Sequence, residues 1–276
     1  MKISHKITIL FTFFIIGTIN SQEKLKGNKE VTTEDRIISD FNKLEVIDNL
    51  DVFLTYNEIQ SVSVETDSNL QEAVITEVNN GVLIIKLSDK IVRKKELMIH
   101  IKVNRELKEI NSYNSAKIIS KNSLAIDSLT INSFDNSDID LKLNSKTVQI
   151  NSKKSSDLKL GILSNSININ AVENSDLKGT LDTKDALFTL LDKASINIYG
   201  SATNIEIETL GSAVFKGKEF MSDNVLLNAS NTSNTYINAK ETIDLRAKNS
   251  AEVYLYSNPK ITISEFFDKA SLYKRD

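Results

Sequence analysis

The sequence predicts an all-β protein: a parallel β-helix of about nine coils, each of about 19 residues, behind an N-terminal region of longer strands. Three observations carry this. The phrase INSFDNSDIDL at 131–141 returns as INSKKSSDLKL at 150–160 and as INAVENSDLKG at 169–179. Apolar and polar residues alternate with period two through each copy, the mark of a strand with one buried face, and no copy shows a 3.6-residue apolar stripe. Only one Pro and 8 Gly occur in 276 residues, too little punctuation for an irregular, loop-rich fold.

The repeat can be followed through one small residue per copy: Ala116, Ser137, Ser156, Ser175, Ala194, Ala213, Ser233, Ala251 and Ala270. Successive members stand 21, 19, 19, 19, 19, 20, 18 and 19 residues apart. Two positions after each comes an apolar residue, from Ile118 to Leu272, with Thr235 the one exception. Six before come Ile110, Ile131, Ile150, Ile169, Phe188, Ile207, Leu227 and Leu245, then Ile263 or its neighbour. A unit of this size cannot bury its apolar face alone, so it stacks on its copies. Parallel stacking at roughly 4.8 Å per coil sets each residue over its counterpart. Small Ser and Ala then mark a tight corner with a narrow interior. Asn111, Asn132, Asn151 and Asn170 share one position in four consecutive copies. Their amides can donate and accept along the axis as a ladder, or offer hydrogen bonds to a glycan.

From 36 to 105 the strands lengthen, as in LEVIDNLDVFLTY and ELMIHIKV. Asn80-Gly81 between two alternating runs predicts a hairpin. This segment reads as a cap, or a set of larger opening coils, for a solenoid end that needs covering; 106–276 is the repetitive solenoid. The polar stretch 22–35 reads as a flexible leader. Residues 1–21 join two lysines to the apolar run ITILFTFFIIGTI and the small Ser21, the pattern of a secretory signal peptide. No later apolar stretch is long enough to span a bilayer. Export to the periplasm, the cell surface or the medium is the expected location.

The runs RIISDFNKLEVIDNLDVFLTY and SVSVETDSNLQEAVITEVNNGVLIIKL, followed by NSAKI, NSDID, NSDLK and GSAVF, resemble the secreted family described as putative auto-transporter adhesin, head GIN domain, common in Bacteroidetes. The resemblance spans Arg36 to the C-terminus. It implies a right-handed parallel β-helix, on the cell surface or in the periplasm, with an adhesin-like role. It supplies no catalytic residues.

Composition narrows the chemistry. A net charge of −3 gives no basic field for nucleic acid. With no Cys and two His, of which His5 lies in the expected signal peptide, neither a thiolate metal site nor a histidine cluster can form. His100 stands alone in LMIHIKV and reads as a solvated strand residue. No catalytic constellation and no cofactor motif appears, so the chain reads as a non-enzyme. Two outward rows remain as candidates. Asp138, Asp157 and Asp176 follow the corner in three consecutive coils, where stacked carboxylates either hold a cation such as Ca²⁺ or lie solvated among lysines. Tyr236, Tyr254 and Tyr273 occupy the position where earlier coils carry Asp140, Lys159, Lys178, Asn197 and Lys216, and Tyr256 lies nearby. Exposed tyrosines suit sugars or protein partners; the alternative is an aromatic ladder that stabilises the last coils. An adhesin-like binding protein for a glycan or a surface protein, homo-oligomeric or not, is the first expectation. A carbohydrate-active β-helix enzyme and a self-assembling solenoid are the competing ones.

Overall fold

A computed structural model describes residues 24–276; the expected signal peptide lies outside them. The chain is a β-solenoid of about nine turns. Each coil contributes two strands, which stack in parallel on their copies. One sheet is built from Glu109–Ser112, Ser128–Ser133, Thr147–Ser152 and Ser166–Ala171, paired residue on equivalent residue. The other contains Lys117–Ser120, Asp138–Asn144 and Asp157–Leu163. Beyond these, the strands Asp176–Leu190, Ser195–Thr209, Val214–Ala229 and Asn234–Ala247 run through both sheets. Glu252–Tyr256, Lys260–Phe266 and Ser271–Lys274 complete the stack.

The interior follows the repeat. Eight of the nine small corner residues, Ala116 through Ala251, are buried, and Ala270 in the last coil is partly so. The apolar residues two positions on and six before are buried through the coils beneath the last one. Each full burial of a Leu, Ile or Val contributes roughly 1.5–3 kcal/mol, and the contacts run unbroken along the axis because each coil repeats them. Thr235, the polar exception, is fully buried, with its hydroxyl 3.2 Å from that of Thr209. At the serine corners the hydroxyl turns back on the backbone: Ser156 Oγ lies 2.7 Å from the Lys153 carbonyl and 2.8 Å from that of Ser133.

The turn into each corner needs a left-handed residue two positions before it. Asn114, Asp135, Lys154, Glu173, Asp192, Gly211, Asn231, Asn249 and Asp268 all have φ between 55° and 81°. Seven of these nine are Asn, Asp or Gly, the types that tolerate this conformation best. The sequence carries that signal beside seven of the nine corners. The opposite bend depends on Gly200, with φ of 111°, where an added Cβ would run into the Leu181 carbonyl oxygen.

The N-terminal end is covered by strands of the opposite sense. Leu97–Val103 pairs in parallel with Asp51–Tyr56, but Ser61–Asp67 lies antiparallel to Leu97–Val103, and Val31–Arg36 antiparallel to Ser61–Asp67. In the other sheet Val74–Asn79 and Val82–Leu87 form an antiparallel hairpin, with Asn80 and Gly81 both at positive φ in its turn. Of the stretch 22–35 expected as a leader, the described part, from residue 24 on, carries paired strands. Lys24–Lys26 pairs with Lys90–Arg93, and Val31–Arg36 supplies the outermost strand. The physical reason is Asp67. Its buried carboxylate accepts the backbone N–H of Lys29 and, at 2.7 Å, that of Lys95, pinning the segment from both sides. Burial pushes the Asp67 carboxyl up, but the N–H groups of Lys95, Lys29 and Glu96 outweigh it and hold the group below the usual carboxylate range.

Candidate binding surface

Side chains alternate along a strand, so the third residue after each corner faces outward. Strand register joins these into one row up the second sheet: His100, Phe53, Ile119, Asp140, Lys159, Lys178, Asn197, Lys216, Tyr236, Tyr254 and Tyr273. The row is charged in the middle and aromatic at both ends. At the N-terminal end the Phe53 and His100 rings stack at 5.6 Å, and Lys121 Nζ sits 4.0 Å from the Phe53 centroid.

At the C-terminal end the structure brings Tyr236, Tyr254 and Tyr273 together. Their centroids are 4.4 Å apart in the first pair, with planes 5° apart, and 5.1 Å in the second, at 23°. Arg275 reaches over this group, 5.2 Å from the Tyr254 centroid and 5.4 Å from that of Tyr273. Tyr256 stands apart, with Lys218 Nζ 5.0 Å from its ring. Tyr236, Tyr254 and Tyr256 are half-buried and Tyr273 is exposed. The ring faces between Tyr236, Tyr254 and Tyr273 are therefore taken up by the stack itself. What remains outward is ring edges and hydroxyls, with the far face of Tyr273 at the end of the stack. The Tyr254 hydroxyl donates to Glu252 Oε2 at 2.6 Å. That hydrogen bond, with burial and the Glu252 charge, pushes its pKa up to about 12.

Asp138, Asp157 and Asp176 also stand in register, one coil apart. Lysines flank the stack: Lys117 Nζ lies 3.2 Å from Asp138 and Lys178 Nζ 2.6 Å from Asp176. The hydrogen bond from Lys178 to Asp176, with the charges of Asp176 and Asp157, raises the lysine's pKa. Two residues further along the strand, at the next outward position, Lys159 pairs with Asp140 at 3.0 Å. Among the described residues no group of three or more His, Asp or Glu is disposed to hold a metal ion. Lysine ammonium groups supply the positive charge that a bound cation would.

The asparagine ladder forms over three coils. Asn132 Nδ2 donates to Asn111 Oδ1 at 2.7 Å and Asn151 Nδ2 to Asn132 Oδ1 at 2.8 Å. His100 Nε2 lies 3.2 Å from Glu65 Oε2. Ser63 is the cross-strand partner of His100, but its hydroxyl makes no hydrogen bond to the ring, so no activated nucleophile is assembled there.

The family model described as "putative auto-transporter adhesin, head GIN domain" matches residues 40–161 and again 159–259. The chain belongs to this family. The same fold appears in solved structures of Parabacteroides proteins. A "putative adhesin" from Parabacteroides merdae superposes with a TM-score of 0.64 at 16% identity, over 92% of this chain and 99% of that one. A "putative lipid binding protein" from Parabacteroides distasonis gives 0.62 at 18%, over 91% and 97%. A "putative adhesin" from the same species gives 0.61 at 14%, over 91% and 100%. At these identities the likeness is one of fold. No curated protein matches the chain. Among the described residues of this head GIN domain chain, no helix is long and apolar enough to cross a membrane.

Proposed function

We propose that this chain is an exported, non-enzymatic, adhesin-like binding protein, acting at the cell surface or in the periplasm, and that the row Tyr236, Tyr254, Tyr273 with Tyr256 is its contact surface. The observation that carries the reading is the in-register stack itself, two half-buried tyrosines and the exposed Tyr273 with Arg275 at their side. Tyr and Arg are the residues most enriched where proteins meet. A strip of ring edges and hydroxyls offers hydrogen bonds and apolar area together, which suits a protein surface better than a sugar ring. The family to which the chain belongs supports the same class of role. The test is binding of the fluorescent, purified chain to bacterial and host cell surfaces, compared with a Tyr236→Ser/Tyr254→Ser/Tyr273→Ser variant. Loss of binding with an unchanged circular dichroism spectrum is expected. Equal binding by the variant removes the strip from the contact surface.

A second reading rests on the last coil. Ile261, Ile263, Phe266 and Phe267 are exposed, although Ile261 and Ile263 pair with the buried Ile243 and Leu245 one coil below. Apolar residues at inward positions with water over them favour self-association through this end. Sedimentation velocity of the wild type and an Ile263→Lys/Phe267→Lys variant tests it. A single monomeric species for both dismisses the reading.

A further inference from the structure

The sheet away from the tyrosine strip carries a shallow, open groove of about 530 Å³ that crosses four coils. Its floor is two rows in register. Asn168, Leu187, Glu206 and Leu226 form one, and Ser166, Asp185, Asn204 and Asn224 the other. The second row is tied together by its own side chains. Thr242 Oγ1 donates to Asn224 Oδ1 at 2.8 Å, Asn224 Nδ2 to Asn204 Oδ1 at 3.1 Å, and Asn204 Nδ2 to Asp185 Oδ1 at 2.8 Å. Every link points the same way and the chain ends on a carboxylate.

This arrangement fixes the polar groups before any ligand arrives, which lowers the ordering cost of binding. Each amide uses one of its two N–H groups in the chain, leaving the other to donate outward. Glu206 makes no ion pair or side-chain hydrogen bond among the described residues, and it stands in register between the half-buried Leu187 and Leu226. A carboxylate between two apolar side chains matches a sugar unit, whose hydroxyls need an acceptor and whose C–H faces need apolar contact. The spacing agrees as well: coils repeat at roughly 4.8 Å, close to the advance of one hexose in an extended chain. Asp185 and Glu206 are the charged residues of the lining, and no Lys or Arg joins them. An acidic polysaccharide would be repelled.

We propose that this groove binds a neutral, extended oligosaccharide lying along the solenoid axis, about one sugar per coil. The site is independent of the tyrosine strip, and either can fail without the other.

The experiment is calorimetric titration of the full chain with cello-, xylo- and manno-oligosaccharides of one to six units, alongside oligogalacturonates. Affinity should rise with length to about four units, as the groove spans four coils, and then level off. Oligogalacturonates should not bind. Glu206→Gln exchanges a charged acceptor for a neutral one at an exposed position, so the fold should be kept. It should weaken binding about tenfold, the loss expected for one hydrogen bond to a charged group. Leu226→Ser should also weaken it, whereas the triple tyrosine variant should bind as the wild type does. Absence of binding across all three neutral series overturns the proposal. So does binding that Glu206→Gln and Leu226→Ser both leave intact while their melting temperatures match the wild type.

Discussion

Tyr254 lies face to face on Tyr236, with ring centroids 4.4 Å apart and planes 5° from parallel, while its hydroxyl donates to Glu252 two residues back. The stack and the hydrogen bond act together. One fixes the ring plane, and the other fixes the proton on its oxygen.

The proton leads to a pH prediction. Tyr254 holds its proton to about pH 12, against about 10 for an unfolded tyrosine. The folded pKa is the raised one, so the stability it contributes is complete below pH 10 and is lost as pH rises from about 10 toward 12. Ultraviolet titration of the phenolates should show late ionisation of Tyr254 and also of Tyr113, which burial and the charges of Glu45, Glu109 and Asp135 hold above the usual range. Glu252→Gln removes the charged acceptor of Tyr254 and should make that ring ionise earlier while leaving Tyr113 as it is. An unchanged titration curve in the variant would show that the hydrogen bond is not the cause.

The acidic row gives a second test. Lys117 and Lys178 neutralise the ends of the Asp138, Asp157, Asp176 stack, so a cation has little unbalanced charge to bind. Neither chelation with EDTA nor millimolar Ca²⁺ should move the melting temperature. A rise with Ca²⁺ that Asp157→Asn abolishes would instead establish ligand-linked stabilisation at this stack.

Much of this architecture is legible in the residues, and the misses have definite causes. Ala116, Ser137 and Ser156 could be read as inward corners because stacking forces every coil to reuse the same narrow space. Ile131, Ile150 and Ile169 follow from the same repetition. The antiparallel strand Ser61–Asp67 is not distinguishable from an opening coil, since period-two alternation is the same for both strand senses, whereas Asn80-Gly81 does mark the antiparallel hairpin of Val74–Asn79 with Val82–Leu87. The pinning of Lys29 by Asp67 depends on partners 38 residues apart, which local pattern does not encode. The tyrosine row was visible as register, but ring orientation is a rotamer property, and it decides whether faces or edges meet the solvent. The groove beside Glu206 was missed because its residues share no type from coil to coil.

Two serines in one coil should respond oppositely to truncation. Ser156 Oγ is buried and hydrogen-bonded to backbone carbonyls, so Ser156→Ala should cost roughly 0.5–1.5 kcal/mol. Ser152 Oγ is equally buried but has no partner, and the next coil already carries Ala171 at that place. Ser152→Ala should be neutral or stabilising, by up to about 1 kcal/mol, because it removes an uncompensated buried hydroxyl. Ser156→Leu overfills the corner and should lose several kcal/mol, the steric cost adding to the lost hydrogen bond. Urea unfolding of the three variants measures all of this. Equal costs for the two alanine variants would refute the assignment of partners.

The left-handed position offers the last prediction. Seven coils place Asn, Asp or Gly there, but Glu173 has φ of 63° without the advantage of those residue types. A left-handed conformation costs an ordinary L-residue roughly 1–2 kcal/mol, and Asn or Asp less, because their short side chains hydrogen-bond locally. Glu173→Asn should therefore stabilise the protein by about 0.5 kcal/mol. The change also gives up the exposed ion pair with Lys153 at 3.3 Å, which is worth little at the surface. A Lys153→Ala background isolates the backbone effect, and there the gain should persist. The reverse experiment is Asp192→Val. Its side chain is exposed and φ is 63°, so a β-branched residue should lose about 1–2 kcal/mol with no core contact altered. Thermal unfolding of both, read against the same wild type, fixes the sign. If Glu173→Asn destabilises in the Lys153→Ala background, the preference at this position belongs to something other than backbone conformation.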